Sequence, residues 1–348
     1  MDTVRVGLIG CGNVAFRHAV QLAETEAGHI VAVADPSNTN RTRFYDFAHP
    51  VLERVLQNDP SFREPIERAR RGAQDADYFE AYEHMLESVE LDAVIVETPS
   101  RFHRQQIEDA LAADLHVLVE KPMVANADEA ARVLELAGER DRILAVAYHR
   151  HFVPEFRYMR EVIQHGGLGD IRNVSYLLYQ NWYGNVRGTW RTDAELAVAG
   201  HLIDTGSHIV DAALWVTGLT AASVFAQTEN FDLDVDVNSA LTVIFANGAL
   251  GSIHLIGQTS LPFGEDLTID GSEGAFIYRQ GEFCHIDGNG DPVDIDLPPP
   301  TSNCDRNFID AILKTDTLEI SGECALEVAR LTDAALESAR SSRRVTLH

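Results

Sequence analysis

The chain opens on a mostly apolar run, Val4-Arg5-Val6-Gly7-Leu8-Ile9. Such a run suits a strand buried on both faces. It breaks at Gly10-Cys11-Gly12-Asn13-Val14-Ala15, and Phe16, Ala19, Val20, Leu22 and Ala23 then recur at helical spacing. The unit repeats. Apolar strands are predicted at 29–34, 91–96, 116–119 and 143–147, with helices at 81–89, 104–113 and 128–140. Repeated strand–helix units predict a parallel, doubly wound sheet. The segment 37–77 is long for a connection and carries Phe44, Tyr45, Phe47, Val51, Leu52, Val55 and Leu56 at helical spacing. One or two helices are expected there, as an insertion on the surface. From about residue 149 the pattern changes. A helix at 154–164 is broken by Gly166-Gly167-Leu168-Gly169. Strands follow at 171–180, 222–228, 237–245, 251–259, 265–270 and 274–278, with turns at Asn247-Gly248 and Asp287-Gly288 and one interposed helix at 202–217. Pro298-Pro299-Pro300 is expected to end this sheet, before helices at 303–313 and 322–339.

The fold class is therefore α/β. Residues 1–148 read as a dinucleotide-binding Rossmann domain with a helical insertion near 37–77. Residues 149–348 read as an α+β domain with an open, mostly antiparallel sheet. The first turn carries the reading. In a strand–turn–helix context, Gly10-x-Gly12-x-x-Ala15 is a dinucleotide fingerprint. Gly10 permits the turn, Gly12 lets the backbone approach a pyrophosphate, and Ala15 lets helix and strand pack closely. Asn13 and Val14 open the helix, whose free N–H groups favour an anion. Asp35 ends the second strand about 20 residues on, where a carboxylate binds a ribose 2′-hydroxyl and repels a 2′-phosphate. The expected cofactor is NAD rather than NADP. Arg41 and Arg43 follow, and are placed on the exposed face of the next helix.

Composition narrows the partners. The net charge of −26 argues against nucleic acid and against an anionic membrane surface. No apolar run reaches the length of a membrane span. The chain enters its first strand after Met1-Asp2-Thr3, so no signal peptide is expected. Cys11, Cys284, Cys304 and Cys324 form no Cys-x-x-Cys pair and read as free thiols in a reducing, cytoplasmic compartment. Lys121 and Lys314 are the only lysines among 28 basic residues. An acid-rich, lysine-poor surface fits a salt-adapted protein. It also sets Lys121 apart.

Ligands of doubly wound sheets sit at the carboxyl ends of strands, where Gly10, Asp35, Thr98, Lys121 and Tyr148 fall. Lys121 lies within Glu120-Lys121-Pro122. A lysine there can hydrogen-bond a substrate hydroxyl and stabilise a developing alkoxide. A second cluster is His201-Leu202-Ile203-Asp204-Thr205-Gly206-Ser207-His208, then Asp211. On a helix, Asp204 and His208 are i and i+4 and share a face. A carboxylate fixes an imidazole's tautomer and raises its basicity, which suits His208 as a base. Asp211 reads as structural. His201, Asp204 and His208 could hold a metal only as a sparse, one-sided set, so no metal is expected.

These motifs, in this order, resemble the Gfo/Idh/MocA family of sugar and polyol dehydrogenases. The fingerprint, Thr98-Pro99 with His103, Glu120-Lys121-Pro122, and Asp204-x-Gly206-x-His208-x-x-Asp211 together span the chain. The resemblance implies that Lys121, Asp204 and His208 are catalytic. It places Thr98, Pro99, His103 and Glu120 around the nicotinamide half of NAD, and Trp190-Arg191 near cofactor or substrate. It implies a homodimer or homotetramer formed through the C-terminal sheet. Tyr148, Arg150, Tyr183, Asn185, Trp190, Arg191 and His201 are candidates to line a pocket for a sugar or polyol. The expected reaction is oxidation of a secondary alcohol of a sugar, polyol or inositol. Two other readings use the same residues: a redox-neutral hydrolase or lyase that uses NAD transiently, and a non-catalytic regulator that binds dinucleotide and sugar.

Overall fold

The apolar runs fold as the strand–helix repeat demands. The computed structural model describes residues 3–198, 200–297, 299–300 and 302–347, and these form two compact units. The expected lead Met1-Asp2, Ala199 before the second cluster, and Pro298 of the proline triplet lie outside the described residues.

The first unit begins β1 (Val4–Ile9), α1 (Ala15–Ala23), β2 (Gly28–Ala34), α2 (Asn38–Tyr45), α3 (Pro50–Asn58), α4 (Arg63–Asp75) and β3 (Asp77–Phe79). It continues α5 (Tyr82–Ser88), β4 (Ala93–Val96), α6 (His103–Ala112), β5 (His116–Val119), α7 (Ala127–Glu139, of which the part from Ala131 belongs to this unit) and β6 (Leu144–Val146). The strand order is β3-β2-β1-β4-β5-β6, and every neighbouring pair is parallel. All four residues of β4 are fully buried, as a strand covered on both faces requires. The order reverses between β1 and β4, so the Gly10–Gly12 turn stands at the switch point where such sheets bind ligands.

The segment 37–77 holds three α-helices rather than one or two. Local capping divides it. Ser37 accepts from the Asn40 N–H to start α2. The His49 ring accepts from the Val51 N–H and Pro50 pre-sets φ to start α3. Asp59-Pro60 then forces a new start before α4. Phe16, Phe44 and Phe47 tie the segment to α1, with ring centroids 5.2–5.8 Å apart.

The second unit contains α8 (Pro154–Gln164), β7 (Ile171–Tyr179), α9 (Trp182–Val186), α10 (Ala194–Ala197), α11 (His201–Asp204) and α12 (Gly206–Thr217). Then come β8 (Ala221–Glu229), β9 (Asn238–Phe245), β10 (Leu250–Ile256), β11 (Gly264–Gly271), β12 (Gly274–Arg279) and β13 (Glu282–Asp287). The chain next supplies α13 (Cys304–Leu313) to the first unit and ends with α14 (Gly322–Ser341) and β14 (Val345–Thr346). The sheet order is β13-β12-β11-β7-β10-β9-β8-β14, antiparallel except for the β7–β10 pair. Alternate residues of β7, Val174, Tyr176 and Leu178, are buried, while α12 packs on this strand and on α8.

Further features differ from the sequence expectation. β13 pairs with β12 across Gln280-Gly281, both at positive φ, in a tight hairpin that lacks the usual Asn-Gly signal. The helix expected at 202–217 is split at Thr205 into α11 and α12. The boundary expected at 148 is crossed again: Ser302–Gly322 returns to the first unit, where α13 packs on α1 and Ile320 accepts from the Val146 N–H at 2.9 Å. Sequence adjacency cannot show such a return.

Candidate active site

The first unit provides a cradle at the glycine turn. Gly10 has φ +95°, and a Cβ there would meet the Glu97 carbonyl carbon at 3.0 Å. A Cβ on Gly12 would meet nothing within 4 Å, which leaves that backbone open to an approaching pyrophosphate. Ala15 is fully buried against the sheet. α1 starts behind Val14 without a side-chain cap, so its first N–H groups face the turn. Asn13 is held by His49 Nε2 at 3.2 Å. These features fit a dinucleotide.

Asp35 is buried and already braces the turn. Its carboxylate accepts from the Cys11 N–H at 2.9 Å, the Ser37 N–H at 2.8 Å and the Asn40 amide at 3.2 Å. The basic residues after it do not simply project outward. Arg41 donates to the Asp35 carbonyl, and the Arg43 guanidinium lies over the Phe16 ring.

The ends of β4 and β5 are stitched together. His103 is buried, and its ring nitrogens lie 2.8 Å from the carbonyl oxygens of Pro122 and Thr98. Burial lowers its pKa against the pull of those bonds. His103 thus joins the loop of Thr98 and Pro99 to that of Lys121. The Thr98 hydroxyl donates to Gln106. Glu120 pairs with Arg17 at 2.7 Å and His18 at 3.1 Å, and accepts the Lys121 N–H at 3.1 Å. The Lys121–Pro122 peptide is cis.

The second unit brings Asp204 and His208 to the α11–α12 break. Asp204 accepts from the Trp182 indole at 2.8 Å and pairs with Arg191 at 3.3 Å. Arg191 in turn lies over Trp190. The His208 ring meets Tyr148 edge-on with centroids 6.1 Å apart, and His149 at 4.6 Å. Buried Asp236 anchors α11, accepting from the Gly200 N–H at 3.0 Å and the Leu202 N–H at 2.7 Å. A side chain at Gly200 would collide with the Asp236 backbone at 2.0 Å, which explains the glycine.

Of the expected pocket residues, Tyr148, Trp190 and Arg191 accompany His208 or Asp204. His201 is fully buried; its Nδ1 donates to the Val237 carbonyl and its Nε2 accepts from Gln180. Arg150 is buried against Glu265. Tyr183 donates to Asp232, and Asn185 is exposed. Asp211 pairs with the buried His151 at 3.0 Å. Among the described residues, one group sets three metal-type ligand atoms within 4.8 Å: His151, Asp211 and Cys324. There the His151 ring already uses its Nε2 on Asp211, so the geometry is that of a hydrogen-bonded pair beside a thiol.

Sequence reading missed His18, Glu97, Asp236 and Asp305. Glu97 had a signal, a charge at the end of an otherwise apolar strand, and His18 sits in the apolar stripe of α1. Asp236 and Asp305 had none, since their partners are distant in sequence.

The family profile of oxidoreductases with an NAD-binding Rossmann fold matches residues 4–148, and the GFO/IDH/MocA C-terminal domain profile matches residues 156–277. The chain is 28% identical to scyllo-inositol 2-dehydrogenase (NADP(+)) IolW of Bacillus subtilis, over 81% of this chain and 86% of that protein. It is 32% identical to D-glucoside 3-dehydrogenase of Escherichia coli over 63% of this chain, and the match spans only 55% of that relative. Levoglucosan dehydrogenase in complex with NADH has the same fold, with a TM-score of 0.83, 19% identity and 99% of both chains covered. With its NAD-binding Rossmann unit and its C-terminal sheet unit both matched in order, the chain belongs to the Gfo/Idh/MocA family of oxidoreductases.

Proposed function

We propose that the protein is an NAD-dependent dehydrogenase that oxidises a secondary alcohol of a sugar, polyol or inositol. The observation that carries the reading is the anchoring of Lys121 at the end of β5, in the unit that holds the dinucleotide cradle. Bound NAD supplies a nicotinamide that accepts a hydride. The residues of the chain handle the proton and the oxygen. The Lys121 ammonium donates to the substrate hydroxyl and stabilises the oxygen as negative charge develops. His208 takes the hydroxyl proton, and Asp204 orients His208. Gly12 and the α1 N-terminus hold the pyrophosphate, and Asp35 disfavours a 2′-phosphate. Tyr148, Trp190 and Arg191 offer the aromatic and polar contacts that a polyhydroxylated ligand uses.

Self-association belongs to the same proposal. One row across the sheet, Phe225, Thr242, Ser252, Ser175 and Thr268, is in register on one face, and Phe225 and Leu250 on that face are exposed. We assign this face to a homodimer or homotetramer contact, testable by light scattering with Phe225→Glu.

The deciding assay mixes the protein with NAD or NADP and a panel of sugars, inositols and polyols, at low and high salt, and follows reduced nicotinamide by absorbance. A substrate-dependent rise with NAD supports the proposal. A rise with NADP alone keeps the chemistry and overturns the role of Asp35. Silence, with NAD binding shown by calorimetry, favours a redox-neutral reaction or a regulator.

A further inference from the structure

A charged cluster lies beneath Lys121, wholly within the first unit. α1 carries Arg17 and His18 in succession. His18 is fully buried. Its Nδ1 is 2.9 Å from Asp305 Oδ1 and its Nε2 is 3.1 Å from Glu120 Oε1. Both neighbours are carboxylates, so a ring that satisfies both donates from both nitrogens and is charged. Burial opposes that charge, but the charge of Asp305 and the hydrogen bonds to Asp305 and Glu120 hold the His18 pKa well above the ordinary histidine value. Arg17 donates to the same Glu120 oxygen at 2.7 Å. The other Glu120 oxygen accepts the Lys121 N–H. Burial works against ionised Glu120 too, yet the His18 hydrogen bond and the charges of Arg17, His18 and Lys121 keep it far below the usual carboxylate range.

Glu97 completes the cluster. Both of its carboxylate oxygens are sequestered from solvent without a hydrogen-bond partner. Burial first, then the charges of Glu120 and Asp305, push it up to about 8, against the pull of His18 and Arg17. With Glu97 protonated, two anions (Glu120 and Asp305) face two cations (Arg17 and His18). The thiols of Cys11 and Cys304 border the group, Cys11 through Glu97 and Cys304 through Arg17.

Asp305 reaches this cluster from α13, in the segment that returns from far along the chain. Buried ion pairs are weak stabilisers, and apolar packing of α13 on α1 would hold the helix without them. What the charges add is direction: each hydrogen bond has one geometry. We propose that Asp305 is a positioning residue for Lys121, clamping His18 onto Glu120 and thereby fixing the backbone from which the Lys121 side chain projects. This rests on the dehydrogenase reading of Lys121.

The scarcity of lysine supplies the test. Full-length protein labelled only with 15N-lysine gives two backbone amide peaks, Lys121 and Lys314, assigned with Lys314→Arg. In Asp305→Asn and in His18→Gln the Lys121 amide proton should move upfield while Lys314 stays, and Asp305→Glu should restore part of the shift. Turnover of the substrate found in the panel should fall about 10- to 100-fold in kcat, with the KM for NAD within about threefold, as for a misplaced rather than a missing group. A Lys121 peak unmoved in either folded variant overturns the proposal. A moved peak in a protein that turns over no alcohol upholds the positioning and removes the dehydrogenase reading instead.

Discussion

His208 has the clearest consequence at the scale of single residues. General-base loss costs about 10²- to 10⁴-fold. His208→Asn should lower kcat by that order and leave NADH affinity, read by fluorescence titration, nearly unchanged; equal loss of both would remove His208 from the chemistry. Glu97 predicts a dependence of stability on pH. Unfolded, it ionises near its ordinary 4.5; folded, near 8. Below 4.5 both states hold the proton and nothing is lost. As pH rises, the unfolded state releases its proton first, so stability drains away and the loss is complete above the folded value. Glu97→Gln cannot ionise. It should melt with the wild type near pH 4.5 and above it near pH 9, by about 2–4 °C for each kcal/mol recovered. Parallel melting curves across that range would mean that Glu97 has a partner in solution. The roles proposed for Lys121, Asp204 and His208 come from their spacing and strand-end positions, which sit in local sequence. The partners that orient them, Glu120 with His18 and Asp204 with Trp182 and Arg191, were not legible, since each bond joins distant elements.

Among the elements, the β1–α1 turn separates folding from binding. An added methyl at Gly12 meets no protein atom, whereas one at Gly10 meets backbone and needs a strained φ. Gly12→Ala should therefore keep the wild-type melting temperature and lose NADH affinity at least about tenfold, because a methyl blocks the pyrophosphate's approach. Gly10→Ala should lose both. A Gly12→Ala protein that binds NADH normally would show that the pyrophosphate lies elsewhere. The split between α11 and α12 belongs to the same scale. Periodicity reads the segment as one helix because Asp204 and His208 keep helical spacing. Asp236 takes the N–H groups of Gly200 and Leu202 and sets where α11 starts, while at the break the Ser207 hydroxyl donates to the Asp204 carbonyl and the His208 N–H to the Thr205 carbonyl.

For the whole molecule, charge dominates. At −26, self-repulsion disfavours the compact state, and salt shortens its range to about 3 Å at 1 M. The melting temperature should climb steadily between about 0.1 and 2 M KCl. A flat or falling curve would leave the acidic composition without a role in salt tolerance. No helix among the described residues is long and apolar enough to cross a membrane, and none of the four cysteines forms a disulfide among the described residues.

The sequence by itself determined the strand–helix alternation of the first unit, the change of pattern near residue 149, the glycine cradle and the three residues proposed to react. Each rests on contacts between near neighbours: hydrophobic period, turn chemistry, and side chains a helical turn apart. Tertiary structure decided what surrounds them. It returned Ser302–Gly322 to the first sheet unit, packed His201 and Arg150 inward on Gln180 and Glu265, and set Asp305 against His18 beneath Lys121. Those outcomes depend on which buried polar group meets which, and burial leaves a charged side chain no alternative but a partner that only the folded chain can bring to it.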